Sequence, residues 1–297
     1  MTPWLIDVYR DLGLAYPALP QDVISTPQSL ISESLDMEAR AILLALVFAS
    51  LGLGANAQEF RVETDVFVGD AETAASHTVT LFEKSAVYEF IDHPPQVIVY
   101  RQASEEHAGQ FILLDPQSRQ RTEVPVERVT RLMGKLAQLA AEQSDPVLKF
   151  AATPAFHESF DAESGSLTLA HPQWTYRVAT VAAEPGGALD RYRDFTDRYA
   201  ELSTMIHKTF PPGPRLKLNA ALAERGVVPV EIRRTIGGDD KSLVRAVHLF
   251  SWRLSRDDRQ RIDQAQQNLA AYAKVANEKF LAGAGKLSTS KVRGQSE

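Results

Sequence analysis

The chain has 297 residues, of which 24% are charged and 44% hydrophobic, a formal net charge of −6 and no cysteine. That length makes one large domain or two small ones. The mixed, mildly acidic charge carries no electrostatic footprint for nucleic acid, no basic amphipathic helix marks a membrane surface, and lipid attachment at a mature N-terminal cysteine is excluded.

Residues 1–36 contain Pro3, Pro17, Pro20 and Pro27 and an apolar pattern too short for a domain. They read as a mis-annotated or disordered leader, with translation expected to begin at Met37. A signal peptide is predicted over 37–57. Arg40 supplies the positive n-region, Ala41 to Leu53 (AILLALVFASLGL) is uncharged, and Ala55-Asn56-Ala57 places small residues at the −3 and −1 positions of a cleavage site. The cut is expected between Ala57 and Gln58. The apolar run is shorter than the ~20 residues that cross a bilayer, and Gly52 and Gly54 are poor helix formers. A cytoplasmic leader with an uncleaved anchor is the alternative. Two basic and six acidic residues precede the cut, so the mature charge is near −2. The expected product is periplasmic or secreted, with no stable membrane anchor after cleavage.

The mature chain opens with strand text at Phe60–Val68, His77–Phe82, Ala86–Ile91, Val97–Tyr100 (VIVY), Phe111–Leu114 (FILL) and Gln120–Val124. Pro94-Pro95 and the turn Asp115-Pro116-Gln117-Ser118 punctuate it. Short strands with turn signals at regular intervals predict an antiparallel sheet. The period then changes, and Val126, Val129, Leu132, Met133, Leu136 and Leu139 mark a helix with one buried face. Strand text resumes at Leu148–Phe150, Ala155–Phe160, Ser166–Leu169 and Trp174–Val181.

The clearest helix follows, striped by Leu189, Tyr192, Phe195, Tyr199, Leu202 and Ile206. A shorter one is predicted from Pro214 to Arg225, with Gly226 as terminator. A hairpin of Val227–Ile236 and Leu243–Trp252 turns at Gly237-Gly238-Asp239-Asp240. Ser255 opens the last helix, with Asp257 and Asp258 in the first turn and Ile262, Ala265, Leu269, Tyr272 and Val275 as its apolar face. The tail from 282 to 297 is Gly/Ser/Lys-rich and expected to be disordered. The expected fold is a single α+β domain over 58–281. Its antiparallel sheet should be curved, half-barrel-like and packed against several helices, with a C-terminal helix-hairpin-helix extension.

No catalytic template is present: there is no G-x-S-x-G elbow, no phosphate-binding Gly-rich loop and no H-E-x-x-H. Ser288-Thr289-Ser290-Lys291 fits S-x-x-K but lies in the tail, where nothing would hold a serine or desolvate a lysine. His77, His93, His107, His157, His171, His207 and His248 are scattered, without metal-ligand spacing. His157-Glu158 with Asp161 and Glu163 is the densest group of potential ligands, and a solvated loop explains it equally well. Asp239-Asp240 reads as a turn, and Tyr192, Phe195 and Tyr199 as core packing. No catalytic, metal or cofactor residue is assigned, and the protein is expected not to be an enzyme. Two alternatives stay open. One is a secreted hydrolase with a site assembled from residues such as His157, Glu158 and Asp161; the other is an interaction domain using the last two helices.

VIVY, FILL and Leu243–Trp252 carry apolar side chains on both strand faces, so a second cover or an enclosed apolar cavity is expected. The element order, with Gly109-Gln110-Phe111-Ile112-Leu113-Leu114-Asp115 and the returning Gln120-Arg121-Thr122-Glu123-Val124, resembles the LolA-like periplasmic lipoprotein-carrier superfamily. That superfamily also includes the lipid-sensing domain of an anti-sigma regulator. The resemblance spans roughly Phe60 to Ala183 and implies helices across the mouth of a curved sheet, a cavity for acyl chains, and an acyl chain or lipoprotein as partner. From Leu189 to Phe280 the chain departs from the family pattern, and no ligand-contacting residue carries over.

Overall fold

The computed structural model describes residues 58–105, 107–184 and 187–281. The expected signal peptide, with Ala55 and Ala57, and the S-x-x-K tail lie outside them. Gln58 is the first described residue, and its carbonyl accepts a hydrogen bond from Arg191 Nη1 at 2.8 Å.

The alternating text folds into six consecutive strands: β1 (Phe60–Val68), β2 (Ser76–Glu83), β3 (Ala86–Ile91), β4 (Gln96–Arg101), β5 (Gln110–Asp115) and β6 (Gln120–Pro125). Each runs antiparallel to the one before it. The predicted turn between β5 and β6 is held by the Asp115 carboxylate, which accepts from the Gln117 and Ser118 amides and the Ser118 hydroxyl.

Helix α1 (Val126–Glu142) follows, and then α2 (Pro146–Ala152). The latter corrects the strand expected at Leu148–Phe150. Asp145 accepts from the amides of Val147 and Leu148, and Pro146 occupies the first turn. An N-cap with a first-turn proline nucleates a helix whatever the β-propensity of three residues behind it. A second meander comprises β7 (His157–Asp161), β8 (Ser166–His171) and β9 (Trp174–Ala182). Gly165 makes the β7–β8 turn at φ +65, with its missing Cβ position only 2.7 Å from the Thr180 carbonyl oxygen, so a side chain is excluded twice over. Next come α3 (Ala188–His207), α4 (Gly213–Glu224), β10 (Val227–Ile236), β11 (Asp239–Ser251), α5 (Arg256–Ala271) and the two-residue β12 (Ala273–Lys274).

Among the described residues twelve strands form one sheet in the order β12-β6-β5-β4-β3-β2-β1-β11-β10-β9-β8-β7. The fold is thus α+β with a large antiparallel sheet. The β10–β11 hairpin is no appended extension: β11 pairs with β1 and β10 with β9, so it joins the two meanders. Each meander otherwise ends in an open row of amides and carbonyls, and the hairpin satisfies both edges at once. The last helix also stops earlier than its apolar pattern suggested. Beyond Tyr272 the chain leaves α5 and pairs in parallel with the free edge of β6.

Side-chain alternation sorts the core by face. Phe60, Val62, Phe82, Val87, Ile98, Tyr100, Phe111 and Leu113 pack with Val129 of α1 and Tyr192, Phe195 and Leu202 of α3. Their strand neighbours Val79, Leu81, Tyr88, Val99, Ile112 and Leu114 pack against Ile262 and Ala265 of α5. VIVY and FILL are therefore covered on both faces. In the second meander, Leu167, Leu169, Tyr176 and Val178 pack with Phe150 of α2 and Leu218 and Leu222 of α4. Among the described residues Leu249, on the outward face of β11, is 62% exposed. α5 is clamped to the sheet by Asp258, which accepts from the Ser255 amide and hydroxyl and from Arg61 Nη1 at 3.0 Å.

Candidate functional site

The face of the sheet beneath α3 is unevenly filled, and the sequence explains why. At one end Phe60 stacks on Phe82 with ring centroids 4.0 Å apart, and Phe195 meets Phe82 edge-on at 5.6 Å. Further along, the inward residues are short: Thr64 and Val66 on β1, Ser76 and Thr78 on β2, Ala246 on β11. They face Ala200, Ser203 and Thr204 of α3. Side chains of this length cannot close the gap between sheet and helix, and a cavity of about 460 Å³ is left. This is within the roughly 300–1,000 Å³ of small-molecule sites. The segment between α3 and α4 forms another wall, where Phe210 packs edge-on against Trp174 at 5.8 Å and its carbonyl accepts from the Thr204 hydroxyl.

Besides Tyr176, Tyr192 and Tyr199, four ionisable side chains reach this cavity: Glu89, His248, Arg215 and Arg234. Glu89 sits mid-strand on β3 between Thr80 and Ile98 in the ladder and is 5% exposed. Burial pushes its carboxyl up to about 7, against the smaller opposing effect of the nearby Tyr199 hydroxyl. His248 is pushed down to about 3, first by burial and then by the positive charge of Arg215, so it is neutral at physiological pH. Its Nδ1 lies 2.9 Å from Thr64 Oγ1, and its Nε2 is buried with no partner.

Arg215, at the start of α4, donates from Nε to Asn219 Oδ1 at 2.9 Å, and Asn219 in turn donates to Asp197 at 2.7 Å. Arg234 extends from β10 with its guanidinium 5.7 Å from the Trp174 ring centroid, a cation–π distance. Its Nε is buried and makes no hydrogen bond. Burial and the charge of Arg215 both weaken its hold on its proton.

The sequence-predicted groups lie elsewhere. His157, Glu158 and Asp161 are on β7, at the edge of the sheet farthest from β12. Glu158 pairs with Arg225 at 3.1 Å, and Asp161 accepts from the Glu163 amide and the Ser164 hydroxyl of the following turn. Each acidic group is thereby used, and His157 is exposed. No group of three or more His, Asp and Glu able to hold a metal occurs among the described residues. His77 bonds Asp65 at 2.7 Å, and His171 stacks on Phe150 at 4.0 Å. Gly237 and Gly238 alone make the β10–β11 turn at φ 68 and 69, and Asp239 and Asp240, expected within it, open β11, because two left-handed glycines already close the hairpin. Tyr192 and Phe195 belong to the core as expected, and with Tyr199 they also line the cavity.

Glu89, His248, Arg215 and Arg234 were not singled out by sequence. The available signal was a lone charged residue inside an apolar strand, as in AVYEFI around Glu89. No protein-family model matches the chain, and no curated protein matches it. No helix among the described residues is long and apolar enough to cross a membrane.

Proposed function

We propose that the protein is exported and, without catalysis, holds an apolar ligand or the acyl chain of a lipidated partner between its sheet and α3, as LolA-like carriers do. The observation that carries this reading is the cavity of about 460 Å³, walled on its apolar side by Val62, Phe82, Tyr192 and Phe195. A curved, half-barrel-like sheet with α3 and the α3–α4 segment across its mouth fits this role. Purified protein should take up a fluorescent fatty-acid probe saturably and release it to unlabelled fatty acid. Absence of uptake at concentrations where a lipoprotein carrier saturates overturns the reading. Export is tested separately by N-terminal sequencing of protein recovered outside the cytoplasm, which should begin at Gln58.

A further inference from the structure

The cavity is polarised. Its basic end holds Arg234 from β10 and Arg215 from α4, with no carboxylate paired to either among the described residues. Glu89 enters on β3, four strand spacings from β10 in the sheet order, about 19 Å across the sheet. Glu89 therefore does not neutralise the basic groups, and Asp197 is joined to Arg215 only through Asn219.

Unused polar atoms accompany the uncompensated charge. Among the described residues Arg234 Nε and His248 Nε2 are buried, line this cavity and make no hydrogen bond, and the buried Trp174 indole N–H has the Tyr176 hydroxyl beside it. Trp174 is 5% exposed and His248 9%. An indole N–H and a guanidinium can only donate. The neutral imidazole donates from Nε2 when the Thr64 hydroxyl donates to Nδ1. A half-buried charge with no carboxylate paired to it is unfavourable, and a buried unmade hydrogen bond adds to that. Water in an open cavity can serve such donors, but only an anion also compensates two neighbouring guanidiniums.

We infer that the cavity's ligand is a single-chain amphiphile whose anionic head, a carboxylate or a phosphate monoester, is seated by Arg234 and Arg215 with its chain along the Val62–Phe82 wall. This rests on the proposed ligand-binding role and assigns the head group to that same cavity. Arginine suits either head because its planar fork can bond two oxygens of one anion. The Trp174 indole, beside the Arg234 guanidinium, lies at this same end of the cavity. The volume accommodates one small ligand rather than several acyl chains.

The test is competition against the bound fluorescent probe at pH 7.5 by four compounds of equal chain length: palmitate, hexadecyl phosphate, hexadecanol and hexadecylammonium. At least one anion should displace the probe at a concentration about tenfold lower than the alcohol, as expected for a charge-assisted pair, with the ammonium weakest. The stronger anion identifies the head group. In the Arg215→Gln/Arg234→Gln variant the advantage over hexadecanol should fall below about twofold, while hexadecanol itself displaces as in the parent. Equal displacement by anions and alcohol in the parent overturns the inference and leaves the ligand-binding role standing. Survival of the preference in the variant also overturns it. Failure of all four compounds and of the probe overturns both. If the double variant does not fold, the ratio of palmitate and hexadecyl phosphate to hexadecanol in the parent still decides the matter.

Discussion

Replacing Glu89 with glutamine removes a carboxyl group buried to 5% exposure while keeping its size and hydrogen-bonding reach. In the folded protein that carboxyl titrates at about 7, against 4.5 when unperturbed. Between these values the folded state keeps a proton that the unfolded chain has released, so stability falls as pH rises through the window and levels off above 7. At about 1.4 kcal/mol for each pH unit separating the two values, the loss is roughly 3 kcal/mol. Glu89→Gln should therefore gain about 3 kcal/mol relative to the parent between pH 4.5 and 8. Urea denaturation of both proteins at pH 4.5, 6 and 8 measures this. The difference between the two curves is the quantity to follow, because His248 tilts the parent's own profile in the opposite direction. A difference that stays constant with pH would refute the claim that burial, rather than packing, sets the behaviour of Glu89.

His248→Gln should act on the acid side. The folded imidazole refuses a proton down to about 3, whereas the unfolded one accepts it near 6.5, so parent stability falls as pH drops through that range, by roughly 5 kcal/mol in full. The variant's acid-unfolding midpoint, followed by circular dichroism, should move to lower pH; an unchanged midpoint contradicts the assignment. Asp258→Ala removes the N3 half of the α5 capping box, so that the Ser255 amide and hydroxyl and Arg61 Nη1 lose their acceptor while Arg61 keeps Glu63, at a cost of about 3 kcal/mol. Its Tm should fall by roughly 6–12 °C, and a fall of under about 2 °C would show that α5 is held by its apolar face alone.

Strands β1 to β6 and helices α1 and α3 were readable because their signals are local. Alternation over six to nine residues, or a stripe such as Leu189, Tyr192, Phe195, Tyr199 and Leu202, declares the buried face without reference to the rest of the chain. The misreadings arose where local text was short or where the partner was remote. Leu148–Phe150 is too brief for its period to outweigh the Asp145-Pro146 cap. The Val227–Ile236 and Leu243–Trp252 hairpin was visible as a hairpin. Its place between β1 and β9 depends on pairings such as Val62 with Phe250, which no local pattern encodes.

The candidate site shows the same division. Glu89 is the one charged residue of its strand, Arg234 and His248 stand among other polar residues of β10 and β11, and a strand alone does not say which of its faces meets helix, cavity or solvent. Sequence by itself determined the α+β class, most element boundaries and the double-sided apolar strands, since these follow from backbone propensity and side-chain period. Tertiary structure alone decided that one apolar face goes to α5 and the other to α3. It also decided that short residues on three strands meet short residues on α3 to leave a cavity, and that Arg215 and Arg234 arrive at one end of it from different elements. Such convergence is set by strand register and helix packing between residues far apart in the chain.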